Sequence, residues 1–179
     1  MSYNTQNYRE QGGARDVIGG EIDIIPGGAL KVAGQNVTNA IMRRVLVTVT
    51  STQLLALFAT PQTIVPAPGA GRALVFEGAV LHKPAGTAYA GIAAGEDLSF
   101  KYTDASGAAV AGAETTGFLD QATAQTRYAR PATAASGVTD ITPVANAPLV
   151  LHLLTGEITT GNSPLVVEVF YRDIAMVPA

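Results

Sequence analysis

From Val45 onward, apolar and polar positions alternate with a period of two, the spacing of residues that share one face of a β-strand. Val45, Val47 and Val49 alternate with Leu46, Thr48 and Thr50. Asp97 to Thr103 is the clearest two-faced segment: Leu98, Phe100 and Tyr102 point inward, and Asp97, Ser99, Lys101 and Thr103 outward. Leu165 to Arg172 sets Leu165, Val167, Val169 and Tyr171 against Val166, Glu168, Phe170 and Arg172. Ala73 to Lys83 reads as a long strand with Leu74, Phe76, Val80 and His82 on one face and Val75, Glu77, Ala79 and Leu81 on the other. The nearly continuous apolar run Leu149 to Leu154 suits a strand covered on both faces.

The pattern breaks at Ser51 to Phe58, which reads as a short helix capped by Thr50 or Ser51 and ended by Pro61. Pro66 to Gly71 is a loop, and Asp104 to Gly107 a hairpin turn. Gly112 to Val144 is rich in Ala, Thr and Gly and gives only vague strand signals. Strands at intervals with Gly/Pro loops predict an all-β, jelly-roll-like β-sandwich of low helix content.

Before Arg43-Arg44 the texture differs. The first dozen residues are polar, without apolar periodicity, and read as an extended arm. Glycines follow at Gly12-Gly13, Gly19-Gly20, Gly27-Gly28 and Gly34, at steps of seven, eight and seven residues. Between them lie short β-type segments, Glu21 to Ile25 and Ala29 to Ala33, the glycines supplying the positive φ of tight turns. Strands this short bury too little to stand alone. They either dock on a partner or wind with copies of themselves, or residues 17–38 form one ordinary hairpin of the main domain. The expected organisation is an arm with short hairpin segments over residues 1–44 and a sandwich over 45–179.

Composition narrows the function. The chain has 179 residues, of which 14% are charged and 47% hydrophobic, the opposite of the balance that favours disorder. With a net charge of −3 and only Lys31, Lys83 and Lys101 as lysines, it offers no basic footprint for nucleic acid. Cysteine is absent, which excludes disulfides, zinc-thiolate sites and cysteine nucleophiles. The first residues lack an apolar stretch of the secretory-signal kind, so export is not expected. The charge-free stretch Val45 to Gly71 is long enough to span a membrane, but Pro61, Pro66 and Pro68 rule it out as a lipid-facing helix.

Catalytic patterns are sparse. The two histidines, His82 and His152, both fall in strands, and no GxSxG elbow accompanies them. Side by side across a sheet they still make a poor metal site without an acidic cluster. Glu77, Asp97, Glu157 and Glu168 are the carboxylates from which a glycosidase pair would be drawn. Glu96, Asp97 and Asp104 lack the spacing of a calcium loop. No enzyme activity, cofactor or metal is expected. Tyr3 and Tyr8, aromatic residues in a polar arm, are either anchors for a partner's pocket or part of a solubilising tail.

Three stretches carry a resemblance: VIGGEIDIIPGGALKV (Val17 to Val32), the run from Pro66 to Asp104, and Leu153 to Arg172. They resemble capsid decoration (cement) and head-fibre proteins of tailed bacteriophages. The resemblance implies a structural virion protein on the capsid exterior, made in the host cytoplasm. It implies the major capsid protein as partner, self-association as a dimer or trimer, and no contact with nucleic acid or membrane. The arm residues then expected to bind are Tyr3, Tyr8, Arg9, Arg15, Ile22, Ile24, Ile25 and Leu30. A tail-fibre or receptor-binding module and a small β-sandwich glycan hydrolase are the alternatives. On the leading reading, the sparse charge marks surface that is buried only on assembly.

Overall fold

A computed structural model describes residues 7–9, 16–18, 30–32, 35–36, 41–92, 97–131 and 141–176. The chain divides into two compact units, Met1–Thr38 and Asn39–Ala179. Within the first, β1 (Asn7–Arg9) pairs antiparallel with β2 (Asp16–Ile18), and β3 (Lys31–Val32) with β4 (Gln35–Asn36). The predicted segment Glu21 to Ile25 lies outside the described residues, and of Ala29 to Ala33 only residues 30–32 are described.

The second unit is a two-sheet β-sandwich. Its elements are β5 (Arg43–Val49), α1 (Ser51–Leu55), β6 (Gln62–Val65), β7 (Arg72–Lys83), β8 (Asp97–Tyr102), β9 (Ala109–Glu114), β10 (Gln125–Ala129), β11 (Leu149–Leu153) and β12 (Leu165–Ala175). One sheet has the order β10-β7-β12-β5 and the other β6-β11-β8-β9, with every pairing antiparallel. The pairings nest: the first strand of the unit lies beside the last, the second beside the second-last, the third beside the third-last, and the middle two form a hairpin.

The inward faces meet in one core. Phe76 of the first sheet lies against Phe100 of the second with ring centroids 5.1 Å apart. The buried Tyr102 hydroxyl donates to the Leu74 carbonyl at 2.6 Å, fastening the second sheet to the first through a polar group that would otherwise be costly to bury. Burial pushes that hydroxyl up to about 12. Alternation holds in β5, where Val49 is buried and Leu46 exposed, and in β12, where Leu165, Val167 and Val169 are buried.

The long strand β7 departs from the simple alternation. Its pairing with β12 slips by one residue: Phe170 faces Gly78 and Tyr171 faces Phe76, so Glu77 is the extra residue of a β-bulge. The phase inverts there. Leu74 and Phe76 face the core before the bulge, and Ala79 and Leu81 after it, while His82 is turned to solvent. The grouping of His82 with Phe76 therefore does not hold. The same inversion buries Lys83, whose ammonium donates to the carbonyls of Pro84 at 3.2 Å and Thr123 at 3.5 Å.

Ser99, expected outside, is buried too; it pairs with His152 of β11, whose five residues are all buried. The turn after α1 covers this patch, for Phe58 stacks on His152 at 5.9 Å. That helix begins with a reciprocal capping box: Gln53 N–H donates to Thr50 Oγ1 at 3.3 Å, and Thr50 N–H to Gln53 Oε1 at 2.8 Å. It ends at Leu55, well short of Pro61. The stretch from Gly112 to Val144 contains the end of β9 and all of β10, and residues 132–140 lie outside the described set. No helix of the described residues is long and apolar enough to cross a membrane.

Candidate interaction surface

The candidate catalytic side chains are engaged structurally. His82, on the outer face of β7, has Nδ1 2.9 Å from Thr126 Oγ1. His152 belongs to the other sheet and lies beneath the turn after α1, so the two histidines are not neighbours across one sheet. Its Nε2 lies 3.1 Å from the Phe58 carbonyl, which only accepts, so Nε2 carries the proton. Its Nδ1 is buried without a hydrogen-bond partner among the described residues. Burial pushes this imidazole below its ordinary value, against the Phe58 hydrogen bond, and the Lys101 ammonium adds to the depression.

The carboxylates are likewise held. Glu77 accepts from Arg172 at 2.5 Å, Glu168 pairs with Arg44 at 3.0 Å, and Glu157 accepts the Ala59 N–H at 3.0 Å. Asp104 caps its own turn by accepting from Ser106 N–H and Oγ, which holds its carboxyl below the usual range. The Glu96 and Asp97 side chains lie outside the described residues. No group of three or more His, Asp or Glu side chains among the described residues is placed to hold a metal ion.

A cavity of about 170 Å³ sits under the Pro66–Pro68 loop, lined by Arg43, Val65, Leu74, Tyr171 and Asp173 besides the loop itself. Asp173 is buried and takes two cations, Arg72 at 2.8 Å and Arg43 at 3.7 Å. The cavity is smaller than the roughly 300 Å³ at which small-molecule sites begin, and its charges already satisfy one another.

A sheet face that points outward is that of β10-β7-β12-β5. Register places Tyr128, Val80, Glu168 and Leu46 in one row, with Thr126, His82, Val166 and Thr48 in the next. Gly78, Phe170 and Arg44 form the row on the other side of the first. Tyr128 lies flat over Gly78, where a Cβ would fall 2.5 Å from the phenol oxygen. The Arg130 guanidinium sits 5.7 Å from the Tyr128 ring centroid. Tyr128 is 55% and Leu46 62% exposed, while two ion pairs, Arg44–Glu168 and Arg172–Glu77, join neighbouring strands. Chemically this is a partly apolar surface with two ion pairs and the Arg130 guanidinium over Tyr128, suited to contact with another macromolecule.

Of the arm residues expected to bind, Tyr8 and Arg9 are in β1, opposite Val17 and Asp16 of β2. Leu30, just before β3, is exposed, as is Val32 within it. Tyr3, Arg15, Ile22, Ile24 and Ile25 lie outside the described residues. The sheet face and its edge strand were not singled out from the sequence. The available signal was Arg43 to Val49, a strand without Gly or Pro that carries Leu46 at an outward position.

Compared with protein-family models, with curated proteins and with solved structures, the chain matches none of them.

Proposed function

We propose that this chain is a structural virion protein of a tailed bacteriophage, decorating the outside of the capsid and cementing adjacent major capsid subunits. The observation that carries the reading is the nested pairing of eight antiparallel strands in two four-stranded sheets, preceded by a glycine-punctuated N-terminal unit. We read the nested order as a jelly roll, an architecture used by viral capsid and lectin domains. The sequence resemblance from Val17 to Val32, Pro66 to Asp104 and Leu153 to Arg172 points the same way.

The physical role follows from area and multiplicity. A cement protein touching several shell subunits is retained by the sum of weak contacts, because each bound contact raises the effective concentration of the next. The outer face suits this task, since its carboxylates Glu168 and Glu77 are already paired and covering it strands neither of them. The arm residues Tyr3, Tyr8, Arg9, Arg15, Ile22, Ile24, Ile25 and Leu30 supply a second point of attachment.

Cryo-electron microscopy of the particle that carries the chain tests the assignment. Density over the joints between major capsid subunits is expected. Density confined to the tail tip overturns it in favour of a tail-fibre or receptor-binding module. Removing residues 1–16 is expected to weaken retention on purified capsids, and undiminished retention refutes the anchoring role of the arm.

A further inference from the structure

We infer that the chain pairs with a second copy of itself through β5, the two strands running antiparallel about a two-fold axis at Leu46. The two outer-facing sheets then join as one eight-stranded sheet. This inference concerns the chain alone in solution and does not depend on a capsid.

Among the described residues the sandwich has four edge strands, and three are protected against pairing. The strand β6 has only four residues, between Pro61 and Pro66, with a register slip against β11. Gly112 and a slip opposite Phe100 and Lys101 interrupt β9, which also bridges Pro131 through Ala111. That bridge follows directly on β10, a strand of five residues, so the chain there closes the side of the sandwich. Short strands, bulges and prolines are how sheets blunt their edges. By contrast β5 keeps seven consecutive pairs with β12 without a slip, and contains neither Gly nor Pro. At its centre sits Leu46, the most exposed of the large hydrophobic side chains among the described residues, at 62%.

The charges of β5 do not oppose self-pairing. Arg44 is bound to Glu168 at 3.0 Å and Arg43 to Asp173 at 3.7 Å, both partners on the adjacent strand of its own sheet. A two-fold axis at Leu46 sets Arg44 opposite the partner's Thr48 and Arg43 opposite the partner's Val49. Val45 faces the partner's Val47. No like charges are opposed, and the two Arg44 residues stand four strand positions apart, about 13 Å along the ladder, beyond the roughly 8 Å screening length of physiological salt. The two Leu46 side chains meet on the outer face, and the half-buried Val45 and Val47 extend both cores.

Because the chain has no cysteine, Leu46→Cys introduces a single thiol on the axis. Antiparallel partners have Cα atoms about 4.5–5.5 Å apart, inside the range of roughly 4.4–6.8 Å that a disulfide spans. Mild oxidation of the full-length L46C protein is expected to give a covalent dimer at least tenfold faster than R44C or T48C alone. A mixture of R44C and T48C is expected to cross-link to each other. Light scattering of the unsubstituted chain is expected to give twice the chain mass, falling to one chain mass in Leu46→Lys with its β circular dichroism unchanged. A monomeric or trimeric unsubstituted chain, or cross-linking of L46C no faster than of T48C, overturns the inference.

Discussion

Replacing Phe76 and Phe100 with leucine, singly and together, measures how firmly the two sheets are joined. The rings are 5% and 0% exposed, belong to opposite sheets, and lie 5.1 Å apart at an interplanar angle of 33°. Each Phe→Leu change removes ring carbons from a packed site and is expected to cost about 1–2 kcal/mol in transfer and cavity terms. A tilted aromatic pair contributes about 0.5–1.5 kcal/mol beyond the area it buries, and that share is lost once, whichever ring goes first. The double variant should therefore be less destabilised than the sum of the singles by about 0.5–1.5 kcal/mol. With an ordinary domain stability of roughly 5–15 kcal/mol, the singles stay folded. Urea titration followed by far-ultraviolet circular dichroism and tyrosine fluorescence suits a chain with six Tyr and no Trp, provided the slope with denaturant is unchanged among variants. Additivity to within about 0.3 kcal/mol would mean that the rings do not meet, and would refute the packing of β7 on β8 described above.

Two further outcomes are expected. The His152 imidazole is held below its ordinary value near 6.5 in the folded chain, so the unfolded chain takes up the proton first. Its contribution is then fully present above about pH 6.5 and is lost as the pH falls from there through the folded value. Thermal unfolding between about pH 7.5 and 5 is expected to show a decline that His152→Phe reduces, and an identical decline in that variant would count against the assignment. Gly69 and Gly161 both have positive φ, +101° and +94°, but a Cβ at Gly69 meets nothing within 4 Å whereas one at Gly161 falls 2.3 Å from the Tyr89 ring. Gly69→Ala is expected to cost about 1–2 kcal/mol of backbone strain, and Gly161→Ala about 1–3 kcal/mol more; equal costs in urea unfolding would contradict the packing of Tyr89.

The inward positions of the strands with two clear faces were legible. Leu98, Phe100 and Tyr102 point to the core as their spacing requires, and so do Leu165, Val167 and Val169. What the alternation did not reveal is where it changes phase. Glu77-Gly78 reads as two more positions of a regular strand, yet the slip against β12 inverts everything after it. β10 was illegible for another reason. Its inward Arg127 lays its guanidinium 5.4 Å from the centroid of the Phe118 ring and donates to the Gly117 carbonyl, so a core-side position carries a charge. Ser99 looks like an outward position and is buried all the same, beside a His152 that the turn at Phe58 covers, a tertiary contact that no local pattern encodes. The exposed surface was the least legible part: Leu46 announces a strand, and its standing at an open edge depends on which strand has a neighbour.

The pairing of β5 with β12 also has a mechanical side. Arg43 lies opposite Tyr171, so the chain enters the sandwich at its N-terminal strand and leaves it at the C-terminal one from the same end of a single ladder. Tension applied between those two points peels the ladder one pair at a time, whereas tension along opposed strand ends would be shared by all its pairs at once. Such a body yields early when pulled by its own chain ends and holds when the load arrives spread over a sheet face.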